Sequence, residues 1–384
     1  MIRSPGSAQD MQEGNMSKVA IITNIPSPYR VDLFYYLQTN IEEHEFFVIY
    51  TSKNEDNRSW DIPEDKLLNT RILESRILKI KNKLDTRYIH LPGNIEKELN
   101  SIQPDTVVAI EYNPAALQSM CWAKFHGRKF VHWTDGTLYS ERNIGKVQRL
   151  ARKIICSNAD ACIASSTRAK EKLLAWDVPE EKIFVSLITV DISRFQRVHR
   201  QPEPGRILYV GSMIPRKGLD LLVEALKFVP GDVELRIVGN GTEEEIAGLK
   251  AAALDSGVAE KLVFCGFLQG EALTEEYRKA QVFVLPTRED CFGLVLLEAM
   301  CAGVPIVASQ YADGAYDTVI EGENGYIADP YDAEAFGKAI EKAMRESDHL
   351  KGRSEENVRK FAFENVSQPF VRAVEYALKR KNVV

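Results

Sequence analysis

The chain has 384 residues, too many for one ordinary domain and about right for two. Its composition, 45% apolar, 27% charged and 9% aromatic, is globular and excludes disordered, collagen-like and low-complexity classes. With 49 basic against 55 acidic side chains, the net charge is −6, opposite in sign to that of a typical nucleic-acid-wrapping protein.

The first twenty residues contain Arg3, Asp10, Glu13 and Lys18 and no apolar core, so they do not read as a signal peptide. Residues 1–15 read as a tail outside the fold. From there, short β-branched or apolar runs predict strands at Val19–Thr23, Phe46–Tyr50, Thr106–Ile110, Phe130–Trp133, Ala161–Ala164 and Ile183–Ser186. The series continues at Arg206–Val210, Glu234–Val238, Leu262–Cys265, Val282–Pro286, Pro305–Ala308 and Gly325–Ala328. Helical patterns lie between, as in Leu219–Phe228, where Leu222, Ala225 and Leu226 fall on one face. Such alternation implies parallel sheets covered on both faces, and a dozen strands are too many for one sheet.

The polar run Gln196–Gly205, with two prolines and a glycine, is the natural break. Charge changes there as well: residues 1–199 carry a net +2 and residues 200–384 a net −8. The expected architecture is α/β, two Rossmann-like doubly wound domains facing each other across a cleft. They cover residues 16–198 and 199–365, with a helix at 366–384 packing back on the amino-terminal domain.

Cys121, Cys156, Cys162, Cys265, Cys291 and Cys301 form no CxxC pair and have no histidine at metal-ligand spacing, so reduced cytosolic thiols are expected and a zinc site is not. The run Cys291–Ser309 is long enough to span a membrane but carries Glu298 and Pro305. It reads instead as a buried helix at Phe292–Cys301, a stop at Gly303 and a strand at Pro305–Ala308.

Ligands of open α/β sheets sit beyond the carboxyl ends of the strands, so the turns there are the places to search. No GxGxxG follows the first strand and no GxxxxGK[ST] is present, which removes the main support for a hydride-transferring enzyme or a P-loop NTPase. An Asp-x-Asp cradle for a divalent metal is absent too. The turn Gly211–Gly218 places Arg216 and Lys217 before a helix, where the dipole disfavours cations unless an anion sits opposite; the alternative is two solvated cations on a turn. The turn Pro286–Gly293 opens the helix that carries Glu298. Asp290 there is either a ligand-binding carboxylate or a helix N-cap, and Glu298, alone among apolar neighbours, either meets a ligand or pairs with a buried cation. Eight positions separate the two acids, about 12 Å of helical rise, the reach of a sugar-diphosphate-ribose.

The stretch from Tyr209 to about Asp332 resembles the retaining glycosyltransferases of family 4, which have the GT-B fold. The resemblance rests on YVGSMIPRKGLDLLVEA (Tyr209–Ala225), LRIVGNG (Leu235–Gly241), VFCGFL (Val263–Leu268), DCFGLVLLEAMCAGVPIVAS (Asp290–Ser309) and GENGYIADP (Gly322–Pro330). The amino half matches more loosely, at PSPYRVDLF (Pro26–Phe34), IASSTRAKEKLL (Ile163–Leu174) and DISRF (Asp191–Phe195).

The resemblance implies a nucleotide-sugar donor in the carboxyl-terminal domain and an acceptor in the amino-terminal one. It assigns Glu298 to the ribose hydroxyls and Asp290, where the family usually has glutamate, to the donor sugar, with Glu289 one place out of register. Backbone amides at Cys291, Phe292, Gly293, Leu294 and Val295 would hold sugar hydroxyls and phosphate, and Gly211, Gly266 and Phe267 belong to the same donor set. Lys217 matches the diphosphate lysine. The usual arginine after the first glycine is Ser212 here, with Arg216 as the substitute cation. At the amino-half turn Val131–Gly136 the register favours Asp135 as the substrate-facing residue, with His132 packed inside the strand. Lys217, Asp290 and Asp135 are the catalytic candidates.

Two basic stretches remain. Residues 66–90 carry a net +5 and residues 141–153 a net +4 with Ile144, Val147 and Leu150 interleaved. They read either as solvated helix faces or as surfaces for reversible docking on an anionic membrane. The expected activity is a metal-independent, retaining hexosyltransferase moving sugar from a nucleoside diphosphate to a glycan or lipid-linked acceptor in cell-surface polysaccharide biosynthesis. No cofactor is expected, and the location would be cytoplasmic or the inner face of the cell membrane. The alternatives are a GT-B-fold epimerase of nucleoside diphosphate sugars and a silent sugar-nucleotide-binding subunit.

Overall fold

The structure, a computed structural model, describes residues 16–55, 60, 62–196 and 199–380. The expected tail, the boundary after residue 198 and the last four residues of the chain fall outside the described residues. Fifteen strands are present among the described residues. The first nine are β1 (Ser17–Thr23), β2 (His44–Tyr50), β3 (Thr70–Ile72), β4 (Ser75–Lys81), β5 (Thr86–Pro92), β6 (Thr106–Ile110), β7 (Lys129–Thr134), β8 (Ala161–Ala164) and β9 (Ile183–Val185). The rest are β10 (Arg206–Val210), β11 (Glu234–Val238), β12 (Leu262–Gly266), β13 (Val282–Leu285), β14 (Ile306–Ser309) and β15 (Gly325–Ala328).

A seven-stranded sheet runs β3-β2-β1-β6-β7-β8-β9 and a six-stranded sheet runs β12-β11-β10-β13-β14-β15. Every pairing in both is parallel. Strands such as β6, β7 and β10 are buried along their whole length, which is why they read as unbroken apolar runs. The two doubly wound sheets match the architecture expected from the strand–helix alternation. Each has a topological switch point, between β1 and β6 in one and between β10 and β13 in the other.

The helix Phe363–Lys379 lies on the amino-terminal sheet. Its Val366, Phe370, Ala373, Val374 and Ala377 share a buried cluster with Val19, Phe46, Val131 and Trp133. Ser186 Oγ donates to Val366 O at 2.8 Å, and Lys129 Nζ donates to Arg380 O at 2.5 Å. Pro369 falls within this helix.

The expectation of a basic helix face over residues 66–90 is corrected. Residues 75–92 form the antiparallel hairpin β4–β5, with Arg76 opposite Leu91, Leu78 opposite Ile89 and Ile80 opposite Arg87. Each face mixes basic and apolar side chains, Arg76, Leu78 and Ile80 on one and Ile77, Lys79 and Lys81 on the other, and Asn82 and Asp85 close the turn. The second basic stretch is helical, over Lys146–Asn158.

Candidate active site

The two sheets present their switch points to one cleft. A cavity of about 440 Å³ is lined on the amino-terminal side by Thr23 and Asn24 after β1, Glu111 after β6 and Asp135 after β7. Leu294 and Glu298 line it from the carboxyl-terminal side, and Asp191 and Arg194 from the connection between the domains.

Glu298 sits on the helix Leu294–Cys301, whose Leu296, Leu297, Ala299, Met300 and Cys301 are buried. Its Oε2 accepts a hydrogen bond from the Tyr277 hydroxyl at 2.9 Å, and Tyr277 is itself fully buried. No ion pair closes on Glu298 among the described residues. The buried-cation alternative therefore gives way to a tyrosine that holds one oxygen while the residue faces the cavity. Burial pushes the carboxyl up to about 7, only partly offset by the Tyr277 bond and by the charge of Arg194.

The helix starts at Leu294, not Phe292, and its N-cap is Gly293 in the left-handed conformation (φ +79°), with no side-chain cap. Asp290 is thus not the N-cap. A glycine is required at 293 because a left-handed backbone disfavours other side chains, and it leaves the first amides of the helix uncovered by a cap side chain. Asp290 instead pairs with Lys217, and Arg216 Nη1 lies 4.0 Å from the same oxygen. Burial works to raise the Asp290 carboxyl, but Lys217 and Arg216 outweigh it and hold the group below its ordinary value. The turn after β10 and the turn after β13 thus meet, as the sequence reading required of Lys217, Arg216 and Asp290.

Arg216 reaches further. Its Nε donates to Asp85 at 2.8 Å at the tip of the β4–β5 hairpin, and its Nη1 donates to Glu289 O at 3.0 Å. Glu289 in turn pairs with Arg142 of the amino-terminal domain at 2.5 Å. Thr137 also donates to Asp313 across the cleft, and the rings of Tyr139 and Tyr311 stack at 5.1 Å. Ser212 offers its carbonyl to the Tyr209 hydroxyl at 2.8 Å, beside Gly211. The Cys291 thiol is pushed up to about 12 by burial and is therefore protonated near neutral pH. Gly266 and Phe267 stand apart, at the end of the edge strand β12, and do not line the cavity; Phe267 is 45% exposed.

On the amino-terminal side, Arg30 Nη2 donates to both Asp135 oxygens at 2.8 Å, and Ser165 donates to one of them. Both oxygens of Asp135 thus hold Arg30 or Ser165 in place, while the residue lines the cavity as expected. The carboxylate beside it, which the sequence reading missed, is Glu111. Glu111 has φ +68°, a costly backbone conformation for a non-glycine residue and one that clusters at functional sites. It lines the cavity, and its Oε1 accepts from Asp135 N at 3.2 Å. Burial and the neighbouring Asp135 charge raise it to about 7. Its position directly after β6 was the signal that could have found it. His132 is fully buried in β7 against the Tyr112 ring, and burial lowers its pKa so that it is neutral.

No group of three or more His, Cys, Asp or Glu among the described residues is placed to hold a metal ion. None of the helices in the described residues is long and apolar enough to cross a membrane.

A family model described as glycosyl transferases group 1 matches residues 191–361. A GDP-mannose-dependent alpha-(1-6)-phosphatidylinositol monomannoside mannosyltransferase from Mycolicibacterium smegmatis is 37% identical over 145 residues, which cover 35% of this chain and 37% of that protein. The amylovoran biosynthesis glycosyltransferase AmsK of Erwinia amylovora is 31% identical over 182 residues, 44% of each chain. The chain thus spans well under half the length of these two curated relatives. Among solved structures, the apo lipopolysaccharide outer core galactosyltransferase WaaB superposes with a TM-score of 0.73 at 18% identity, over 93% of this chain and 99% of that one. A glycosyltransferase from Rickettsia africae superposes with a TM-score of 0.76 at 17% identity, over 96% and 100%. Residues 191–361 are therefore similar to the glycosyl transferases of group 1, and the chain as a whole has the GT-B fold.

Proposed function

We propose that this chain is a retaining glycosyltransferase that moves a sugar from a nucleoside diphosphate donor to a glycan or lipid-linked acceptor, without a metal, in the building of a cell-surface polysaccharide. The observation that carries the reading is Glu298, which faces the cleft with one oxygen held by Tyr277 and, among the described residues, no cation paired to it. The second oxygen is then the acceptor for the donor's ribose hydroxyls. Lys217 and Arg216 lie beside Asp290 on the turn ahead of the Glu298 helix, where the diphosphate would follow.

Departure of the nucleoside diphosphate builds negative charge on its terminal phosphate. Lys217, Arg216 and the uncapped amides of Gly293, Leu294 and Val295 are the groups that stabilise it, acting from partly buried positions. Lys217 pairs with Asp290 and Arg216 with Asp85, so a diphosphate that binds these cations competes with carboxylates. Glu111 is positioned to accept a hydrogen bond from the acceptor hydroxyl, with Asp135 and Arg30 fixing the floor of that pocket. With retention taken from the proposed reading, the protonated Cys291 thiol and the ion-paired Asp290 favour acceptor attack on the face from which the diphosphate departs over a covalent intermediate at the donor turn.

The testing experiment is a thermal-shift panel of nucleoside diphosphate sugars in EDTA, followed by product analysis with and without acceptor. A stabilising donor and slow donor hydrolysis support transfer. Conversion of the donor to an epimer without acceptor would replace the reading with an epimerase, and donor binding with neither product would leave a silent binding subunit.

A further inference from the structure

Two surface elements of the amino-terminal domain join exposed cations to exposed apolar side chains, although the chain as a whole is acidic. In the β4–β5 hairpin, Arg76, Leu78, Ile80, Arg87, Ile89 and Leu91 share one face through the strand register. The opposite face carries His90, which is buried and bonded to Thr51 at 2.9 Å and Glu55 at 2.9 Å, so that face looks into the body of the domain. The first face therefore looks outward, and on it Leu78, Ile80 and Leu91 are exposed, Ile80 to 51%.

The second element is the helix Lys146–Asn158. Ile155 and Cys156 are buried on its inner face, while Val147, Leu150 and Ile154 form a row at helical spacing on the outside, Val147 exposed to 82%. Lys146, Arg149 and Lys153 flank this row and are exposed, and the first turn has no acidic residue. The helix dipole disfavours cations at that end, so their placement calls for an external anion.

The hairpin tip and the turn that leads into this helix both meet the donor turn at Arg216. The hairpin tip delivers Leu84 O to Arg216 N at 3.2 Å and Asp85 to Arg216 Nε at 2.8 Å. Arg142, just ahead of the helix, pairs with Glu289, whose carbonyl accepts from the same Arg216.

We propose that the outward face of the β4–β5 hairpin and the outer row of the helix Lys146–Asn158 are a docking surface for an anionic lipid bilayer, set beside the cleft mouth. The occupant follows from charge and chemistry together. A second copy of the same face would set cation against cation. A nucleic acid would use the cations but leave the aliphatic rows exposed. An anionic interface accepts both, with the apolar side chains entering the acyl boundary and the cations at the headgroups.

The test is co-sedimentation of the full chain with phosphatidylglycerol-rich vesicles and with pure phosphatidylcholine vesicles, at low and high salt, with heparin binding measured alongside. It needs no activity, so its outcome is separate from that of the transferase reading. Binding is expected to the anionic vesicles only and to weaken with salt. It should fall at least tenfold both in a charge variant (Arg76→Gln, Arg87→Gln, Lys146→Gln, Arg149→Gln) and in an apolar variant (Ile80→Ser, Val147→Ser, Leu150→Ser). Melting temperatures monitor the fold, and Val147→Ser alone, at the most exposed position, serves as the variant that leaves it intact. Absence of binding to anionic vesicles overturns the proposal. So does loss in the charge variant alone with matching loss on heparin, which would mark a polyanion site. A dimer that the apolar variant dissociates, without vesicle binding, would mark a self-interface and overturn it as well.

Discussion

Replacing Glu298 by Gln probes the ribose contact while keeping the shape of the site, since the amide oxygen still accepts from Tyr277. The substitution exchanges a charge-assisted hydrogen bond to a ribose hydroxyl for a neutral one, a difference of about 1–2 kcal/mol, or roughly five- to thirtyfold in donor Kd. The structure adds a pH signature. Burial places the Glu298 carboxyl at about 7, so it is about 90% ionised at pH 8 and about 10% at pH 6. If the carboxylate is the binding form, donor affinity in the native protein falls about ninefold between pH 8 and pH 6. In Glu298→Gln that slope disappears. Calorimetric titration with an intact nucleoside diphosphate sugar at several pH values separates the two effects, because the diester-linked diphosphate has no proton to exchange in this range. Unchanged affinity in Glu298→Gln, or a pH slope that survives the substitution, refutes the ribose assignment.

Other outcomes follow from the same geometry. Lys217→Ala removes a charge from the departing diphosphate and should lower kcat by about 10²–10³, read by product formation at saturating donor; a loss confined to KM would place Lys217 in ground-state binding only. Glu111→Gln should reduce transfer to acceptor by at least tenfold while leaving donor Kd within twofold, about the range expected for one charge-assisted contact on the acceptor side; loss of donor binding would move Glu111 to the other half of the site. Gly314→Ala would bring a methyl to 2.2 Å from the Phe292 carbonyl, forcing the donor turn to shift and costing about 1–3 kcal/mol, measured by chemical denaturation. Glu298 and Glu111 hold protons in the folded chain up to about 7, whereas in the unfolded chain they release them near their ordinary value of 4.5. Their contribution to stability is therefore present below about 4.5 and lost as pH rises to about 7, and the double Gln variant should show a flatter melting temperature across that window.

The parallel sheets were legible because each strand is buried on both faces, so apolar runs such as Arg206–Val210 and Thr106–Ile110 stand out, with ends that agree to the residue. The hairpin at 75–92 was not, because its exposed face mixes Leu78 and Ile80 with Arg76, and a basic run with scattered apolar residues looks like a solvated helix face. On the donor side, Lys217, Arg216, Asp290 and Glu298 could be found because fixed turns after β10 and β13 carry them. Tyr277, which holds Glu298, lies on a helix 21 positions away and gives no local signal. Asp85 meets Arg216 across 131 positions, a contact that exists only when the two domains close on each other. Asp135 was read correctly as a cleft residue, but its engagement by Arg30 depends on a helix that starts after β1, and the sequence does not show which of two neighbouring carboxylates remains available. That one is Glu111, held out by a strained backbone that no propensity rule anticipates.

The most direct measurement of the central claim is the melting temperature of the full chain against nucleoside diphosphate sugars in EDTA, run beside Glu298→Ala. The account predicts that at least one such donor raises the melting temperature of the native chain by several degrees at saturation, and that Glu298→Ala, folded but lacking the carboxylate, loses that shift. A native chain that no nucleoside diphosphate sugar stabilises, or one stabilised equally with and without the carboxylate, would contradict it.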